Sequence, residues 1–336
     1  MKLQVSNSPH VRDKATTQSI MLDVIIALMP ATIAGWYYFG IRAIFVTLVS
    51  VASCVGLEYL CRRIMKRNNT ISDLSAVVTG LLLAMNLPVS IPLYMVIVGA
   101  AFAIVVVKQM FGGIGNNFVN PAIAARIFLV IAFPKAMTSW VVRTGAWYSL
   151  KSVDAVSSAT PLTQINNPDA PSLWKLFTGD KAGCIGEVCI LALLIGAVYL
   201  IVRHVIRPWI PLAFIGTFMV MVFFFGKTNV FHFSGNLATA EGWELLFHEC
   251  GYMLLSGGLI LGAFFMATDY VTSPLTTKGK LLFGFGCGIL TFLIRYYGNL
   301  AEGVSFAIIL MNILTPHIDD WTMGKPFGEV KENVKA

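Results

Sequence analysis

Ten apolar stretches, separated by short polar connections, constrain this chain more than any other feature. They run over 20–39, 41–60, 74–87, 91–107, 118–133, 185–202, 209–226, 251–267, 281–296 and 301–314. A soluble fold has no means of covering ten such runs, because each would leave a large apolar patch facing water. Composition agrees: 57% of the 336 residues are hydrophobic and 12% are charged, against roughly 25% in soluble domains. Mean hydropathy is +0.75. The lipid bilayer is the solvent that suits such a chain, and helices are the structure that satisfies its backbone there. The sequence therefore predicts an all-α integral membrane protein of about ten transmembrane helices. Several runs are shorter than the roughly 20 residues of a straight crossing, which points to broken helices around a polar site.

The formal charge is +7, from 24 basic and 17 acidic residues. The basic residues lie between apolar runs rather than in one stripe, so nucleic acid is not an expected partner. With the N-terminus inside, fifteen Lys and Arg residues fall in inner segments, Lys108 and Arg62 among them. Short outer connections hold three: Arg42, Lys227 and Arg295. This bias places both termini in the cytoplasm. The first nineteen residues are polar and carry no signal-peptide pattern.

The halves echo each other. Val89-Ser-Ile-Pro-Leu93 follows the third run and Val271-Thr-Ser-Pro-Leu275 the eighth; Gly115-Asn116 opens the fifth and Gly298-Asn299 the tenth. With five spans per half, the second copy must be inverted. The expected organisation is a cytoplasmic segment 1–19, a five-helix repeat 20–133, an outer loop 134–184, an inverted five-helix repeat 185–316 and a cytoplasmic tail 317–336. Inverted repeats place polar sites near the midplane.

Polar residues within or beside the runs are candidates for function, because burying them unpaired costs several kcal/mol. Arg126, midway along the fifth run, can hold a phosphate or carboxylate, or bridge helices through carbonyls. Asp23 can sit on an ion path or snorkel to the interface. Thr268, Asp269, Thr272 and Ser273 either cap the end of the eighth run or surround a ligand. Gly112, Gly113 and Gly115 form no Walker A or complete GxGxxG and suit a tight turn. Six cysteines include no CxxC; Cys54 and Cys287 read as small core residues, and no metal site is expected from this chain alone. The histidines show no ligand spacing.

The outer loop contains Asp154-Ala-Val-Ser157-Ser158-Ala159-Thr160-Pro161-Leu162. As plain loop sequence it can cap a short helix; as chemistry, it offers a Thr hydroxyl flanked by small residues. The string resembles the flavinylation motif of a membrane-subunit family. That family is shared by the D-type membrane subunit of the Rnf ion-translocating electron transport complex and the B-type membrane subunit of the sodium-translocating NADH:quinone oxidoreductase. Further similarity lies in Ile20-Met-Leu-Asp23, in Phe111 through Pro121, in Gly262 through Asp269 and in Glu302 through Asn312. The resemblance implies FMN joined through its phosphate to Thr160, with Asp154, Ser157, Ser158 and Ala159 as the surrounding motif; Ser158 stands where the family usually has Gly. It also implies a second, non-covalent flavin (riboflavin) near Thr268–Ser273, a flavin transferase for maturation, and partner subunits carrying the ferredoxin and NAD chemistry. The implied activity is electron relay in a ferredoxin:NAD oxidoreductase coupled to Na+ or H+ movement. The chain lacks the longer N-terminal extension of the quinone-reducing relative, which favours the Rnf branch. A quinone-reducing pump subunit, a redox-silent channel or transporter, and a purely structural anchor are the alternatives.

Overall fold

A computed structural model describes residues 15–140, 171–179, 181–226, 240–298 and 302–324. They form helices and connecting turns, with no strand among the described residues. The helices are α1 (Thr17–Phe39), α2 (Ile41–Ile64), α3 (Ser75–Met85), α4 (Leu93–Gln109), α5 (Pro121–Ala132), α6 (Pro134–Met137) and α7 (Leu173–Thr178). They continue as α8 (Ile190–Val202), α9 (Trp209–Phe225), α10 (Ala240–Leu255), α11 (Leu259–Met266), α12 (Thr277–Tyr297) and α13 (Val304–Thr322).

Each apolar run falls on a helix, but lengths differ from even spans. Helices α1, α2 and α12 are individually long and apolar enough to cross a bilayer, whereas α3, α4, α5, α8 and α9 are apolar but shorter. About a third of α1 and of α2 is buried in protein. Their other faces present Leu22, Ile26, Ile33 and Leu48 outward, which lipid solvates and water does not.

The eighth run departs most from expectation. Instead of one span over 251–267, helix α10 starts at Ala240 and stops at Leu255, and α11 leaves it at 58°. The break is Ser256-Gly257-Gly258, where Gly257 takes φ +68°, a left-handed conformation that glycine adopts without penalty. The orphaned carbonyls at the end of α10 find cationic partners. Arg295 donates to Met253 O (2.8 Å) and Ser256 O (3.2 Å), and Lys181 Nζ to Leu255 O (2.6 Å). Arg295, half-buried near the end of α12, therefore caps a broken helix. The tenth run also extends further than the apolar pattern, through Pro316 to Thr322.

Close backbone approach holds the long helices together. On α12, Gly284 and Gly288 form a G-x-x-x-G stripe against α9; a Cβ at either would come within 2.7 Å of Ala213 or Thr217 Cβ. Gly196 on α8 sits over Ala27 O of α1, and Gly80 on α3 over Val51 Cα of α2. Ser50 Oγ donates to Gly80 O (2.7 Å) across the latter contact. The last turns of α4 (Phe102–Gln109) and most of α11 (Gly262–Met266) are π-helical. Such widened turns re-aim side chains and cluster at functional sites.

Candidate functional site: a cleft beside a buried ion pair

Helices α1, α3 and α11, the end of α4 and the start of α5 enclose a cleft with about 810 Å³ of open space. Its walls are mostly aliphatic and aromatic, with polar groups from Ser75, Lys108, Asn117, Asn120, Thr268 and Asp269. The turn from α4 to α5 places two of these groups. Gly112, Gly113 and Gly115 all have positive φ, as the tight-turn reading requires, and a Cβ on Gly113 would lie 2.2 Å from Arg62 Nη2. Asn120 then caps α5, its Oδ1 accepting from the N–H groups of Ala122 (3.0 Å) and Ile123 (3.4 Å). Its Nδ2 donates to Met266 O at 3.3 Å, tying the start of α5 to the end of α11.

Lys108 brings a positive charge to the wall. It is 2% exposed, and its ammonium donates to Glu58 Oε2 (2.8 Å) and Ser75 Oγ (2.6 Å). Glu58, fully buried on α2, also accepts from Gln109 Nε2 (3.0 Å) and Thr70 Oγ1 (3.1 Å). Such saturation is what permits a charge pair in a dry core. The charge bias of the sequence assigns Lys108 to the inner face; the structure places it in the core, because Glu58 offers it a partner there. Asn117 differs from its neighbours: its Oδ1 is buried without a hydrogen-bond partner and lines the cleft. A buried orphan acceptor calls for a donor from water or a ligand.

Of the four residues grouped at the end of the eighth run, Thr268 and Asp269 line the cleft. Burial pushes the Asp269 carboxyl up, offset in part by hydrogen bonds from the Val271 N–H, the Thr272 hydroxyl and the Tyr270 N–H. Thr272 does not line it: its carbonyl accepts from Thr315 Oγ1 of α13 (2.9 Å). Ser273 lines a different cleft. Thr268 Oγ1 donates back to Phe264 O at 2.7 Å. Two of the four residues thus face this cavity, and the group closes the end of α11.

Arg126 lies apart from them, in a second polar centre. Its Nη1 donates to Asn86 Oδ1 and Ser305 Oγ, each at 3.0 Å, and its guanidinium pairs with Glu302. Nη2 lies 3.9 Å from Cys184 Sγ. Arg126 therefore bridges α5, α3, α13 and the segment before α8, while also lining a smaller cleft with Trp140 and Glu302. Cys184, Glu187 and Glu302 place three ligand atoms within 4.8 Å of one another. Burial and Glu187 push the Cys184 thiol well up, and Arg126 already pairs with Glu302, so the carboxylate there serves a guanidinium. Asp23, 9% exposed, accepts from Tyr199 Oη (2.8 Å) and pairs with Arg203 (3.3 Å), fastening α1 to α8.

Asp154, Ser157, Ser158, Ala159 and Thr160 lie outside the described residues. Sequence reasoning missed Glu58, Asn117, Glu187 and Glu302 as site residues. A carboxylate inside the second apolar run was the available signal for Glu58, and the polar residues bounding the tenth run for Glu302.

Apolar helices of uneven length, packed around buried ion pairs and an amide-lined cleft, define a polytopic helical membrane protein with a polar core. Residues 4–328 match the model of the NQR2, RnfD, RnfE family, and the chain belongs to that family. It is 42% identical to the D subunit of the Na(+)-translocating ferredoxin:NAD(+) oxidoreductase complex of Acetobacterium woodii, over 100% of this chain and 99% of the relative. The D subunit of the proton-translocating ferredoxin:NAD(+) oxidoreductase complex of Clostridium ljungdahlii is 39% identical, over 96% of each. The D subunit of the ion-translocating oxidoreductase complex of Erwinia tasmaniensis is 33% identical, over 98% of this chain and 99% of the relative.

Proposed function

We infer that this chain is the D-type membrane subunit of an ion-translocating ferredoxin:NAD oxidoreductase complex, and that it relays electrons through flavin. End-to-end similarity to subunits so named carries the reading. In it, the chain spans a bacterial inner membrane ten times as two inverted five-helix halves, with both termini cytoplasmic. The meeting of two short helices supports the inversion: α3 and α11, the third members of each half, abut at their C-terminal ends. There Asn86 Nδ2 approaches Met266 Sδ at 3.6 Å.

The outer string Asp154–Thr160 supports a covalent FMN, with the Thr160 hydroxyl esterified to its phosphate by a partner transferase. The cleft suits a second, non-covalent flavin such as riboflavin. Asn117 Oδ1 is an unused acceptor for a ring N–H, Lys108 and Asn120 contribute donors, and Phe264 and Phe265 form an apolar wall. A bound flavin supplies one- and two-electron chemistry, whose potential the protein sets by hydrogen bonds and nearby charge. The chain's own contribution is to exclude water with aliphatic walls and to hold fixed charges at Lys108 and Glu58. Arg126 braces the helices that surround the crossing point.

In-gel fluorescence of the denatured subunit tests the reading. A fluorescent band in the wild type that disappears in Thr160→Ala is the expected result. A dark wild-type band, or one that stays fluorescent in the variant, overturns the covalent assignment.

A further inference from the structure

We propose that a cleft between the α8–α9 turn and the start of α12 binds the headgroup of an anionic phospholipid. This cleft, with about 820 Å³ of open space, adjoins the first and shares Val205, Ile206, Thr268 and Tyr270 with it, but adds His204, Arg207, Lys280 and Ser273, with no carboxylate in its wall. Two cations and an imidazole with hydroxyls, outnumbering the one nearby acid, Asp319, whose charge reaches Lys280, form a site for a phosphate-bearing anion. Among the described residues neither Arg207 nor Lys280 makes an ion pair, although Asp23 and Glu58 engage other cations of this chain. Asp319, on the adjoining end of α13, approaches this region, and its carboxylate accepts from the Leu275 N–H at 3.0 Å.

The cleft is held in shape by backbone. His204 takes φ +56°, turning the chain sharply after α8. The Tyr270 hydroxyl donates to Val205 O and joins the two rims. Thr276 and Thr322 hydroxyls bond at 2.7 Å behind the start of α12. What selects a lipid over a soluble anion is the apolar surface leading away from the cationic groups. Leu275 is 69% exposed and Leu212 61%, with Trp209 and Leu281 also outward. These provide a bed for acyl chains below a charged headgroup, with Trp209 where an interfacial aromatic belongs. The lipid site rests on the membrane setting alone and does not depend on either flavin.

Native mass spectrometry of the purified complex, released from detergent, tests it. The complex is titrated with phosphatidylglycerol, phosphatidylcholine or inorganic phosphate. The wild type is expected to retain phosphatidylglycerol preferentially, and Arg207→Gln with Lys280→Gln to weaken that retention about 25-fold, from roughly a fivefold effect per basic residue. The charge-preserving pair Arg207→Lys and Lys280→Arg should keep it, which separates loss of charge from misfolding. Equal retention of phosphatidylcholine, or unchanged retention in the double Gln variant, overturns the proposal. Binding of inorganic phosphate with the same residue dependence and no lipid preference overturns the lipid assignment in favour of a soluble anion.

Discussion

At the scale of residues, the core tolerates charge only where each charge is answered. Glu58 receives donors from Lys108, Gln109 and Thr70, so removing one member leaves its partner stranded. Lys108→Met alone should destabilise the subunit by about 3–5 kcal/mol, as broken buried pairs do, while Lys108→Met with Glu58→Leu should recover much of it. Thermal midpoints of the purified complex check this; a single variant as stable as wild type would contradict the pair's structural role. Lys181 offers a second test, on pH. Burial among the groups that cap α10 pulls its ammonium from 10.5 down to about 8, so the folded state holds the proton less tightly than the unfolded chain. Between pH 8 and 10.5 the unfolded state binds more protons, and stability therefore rises with pH across that window. The penalty is fully present below pH 8. Lys181→Met should flatten the rise, which midpoints measured from about pH 7 to 10.5 would show.

At the scale of elements, helix contacts are set by missing side chains. Gly284→Ala would drive a methyl to 2.8 Å from Ile210 O, and should cost about 1–3 kcal/mol by overpacking. Gly56→Ala on α2 meets nothing within 4 Å and should be neutral or slightly stabilising. Equal midpoints for the two variants would contradict the packing described for α9 and α12. The helical nature of every apolar run was legible, because hydrophobicity over many residues leaves few alternatives. The start of α10 at Ala240 was not, since Glu241, Glu244, His248 and Glu249 interrupt the apolar signal there. The inward turn of Lys108 was hidden because a π-helical stretch shifts the face that a regular helical period assigns. Arg126 was legible as a residue that must find partners; which partners depended on the distant Asn86, Ser305 and Glu302. The Thr268–Asp269 pair was legible as a polar cluster, while Asn117 became visible only once its oxygen was seen without a donor.

At the scale of the whole molecule, a bundle with buried ion pairs and an amide-lined cleft suits an electron carrier embedded in a larger ion-moving assembly. The proposed role draws on three levels: family membership over nearly the whole chain, a cavity with an unanswered acceptor, and a threonine in a small-residue string. The covalent flavin is the central claim, and the intact mass of the subunit purified from its native host tests it most directly. The expected polypeptide is heavier than its sequence by one FMN less one water, with the increment mapping to the peptide that contains Thr160. A polypeptide whose mass equals that of its amino acids alone would contradict it.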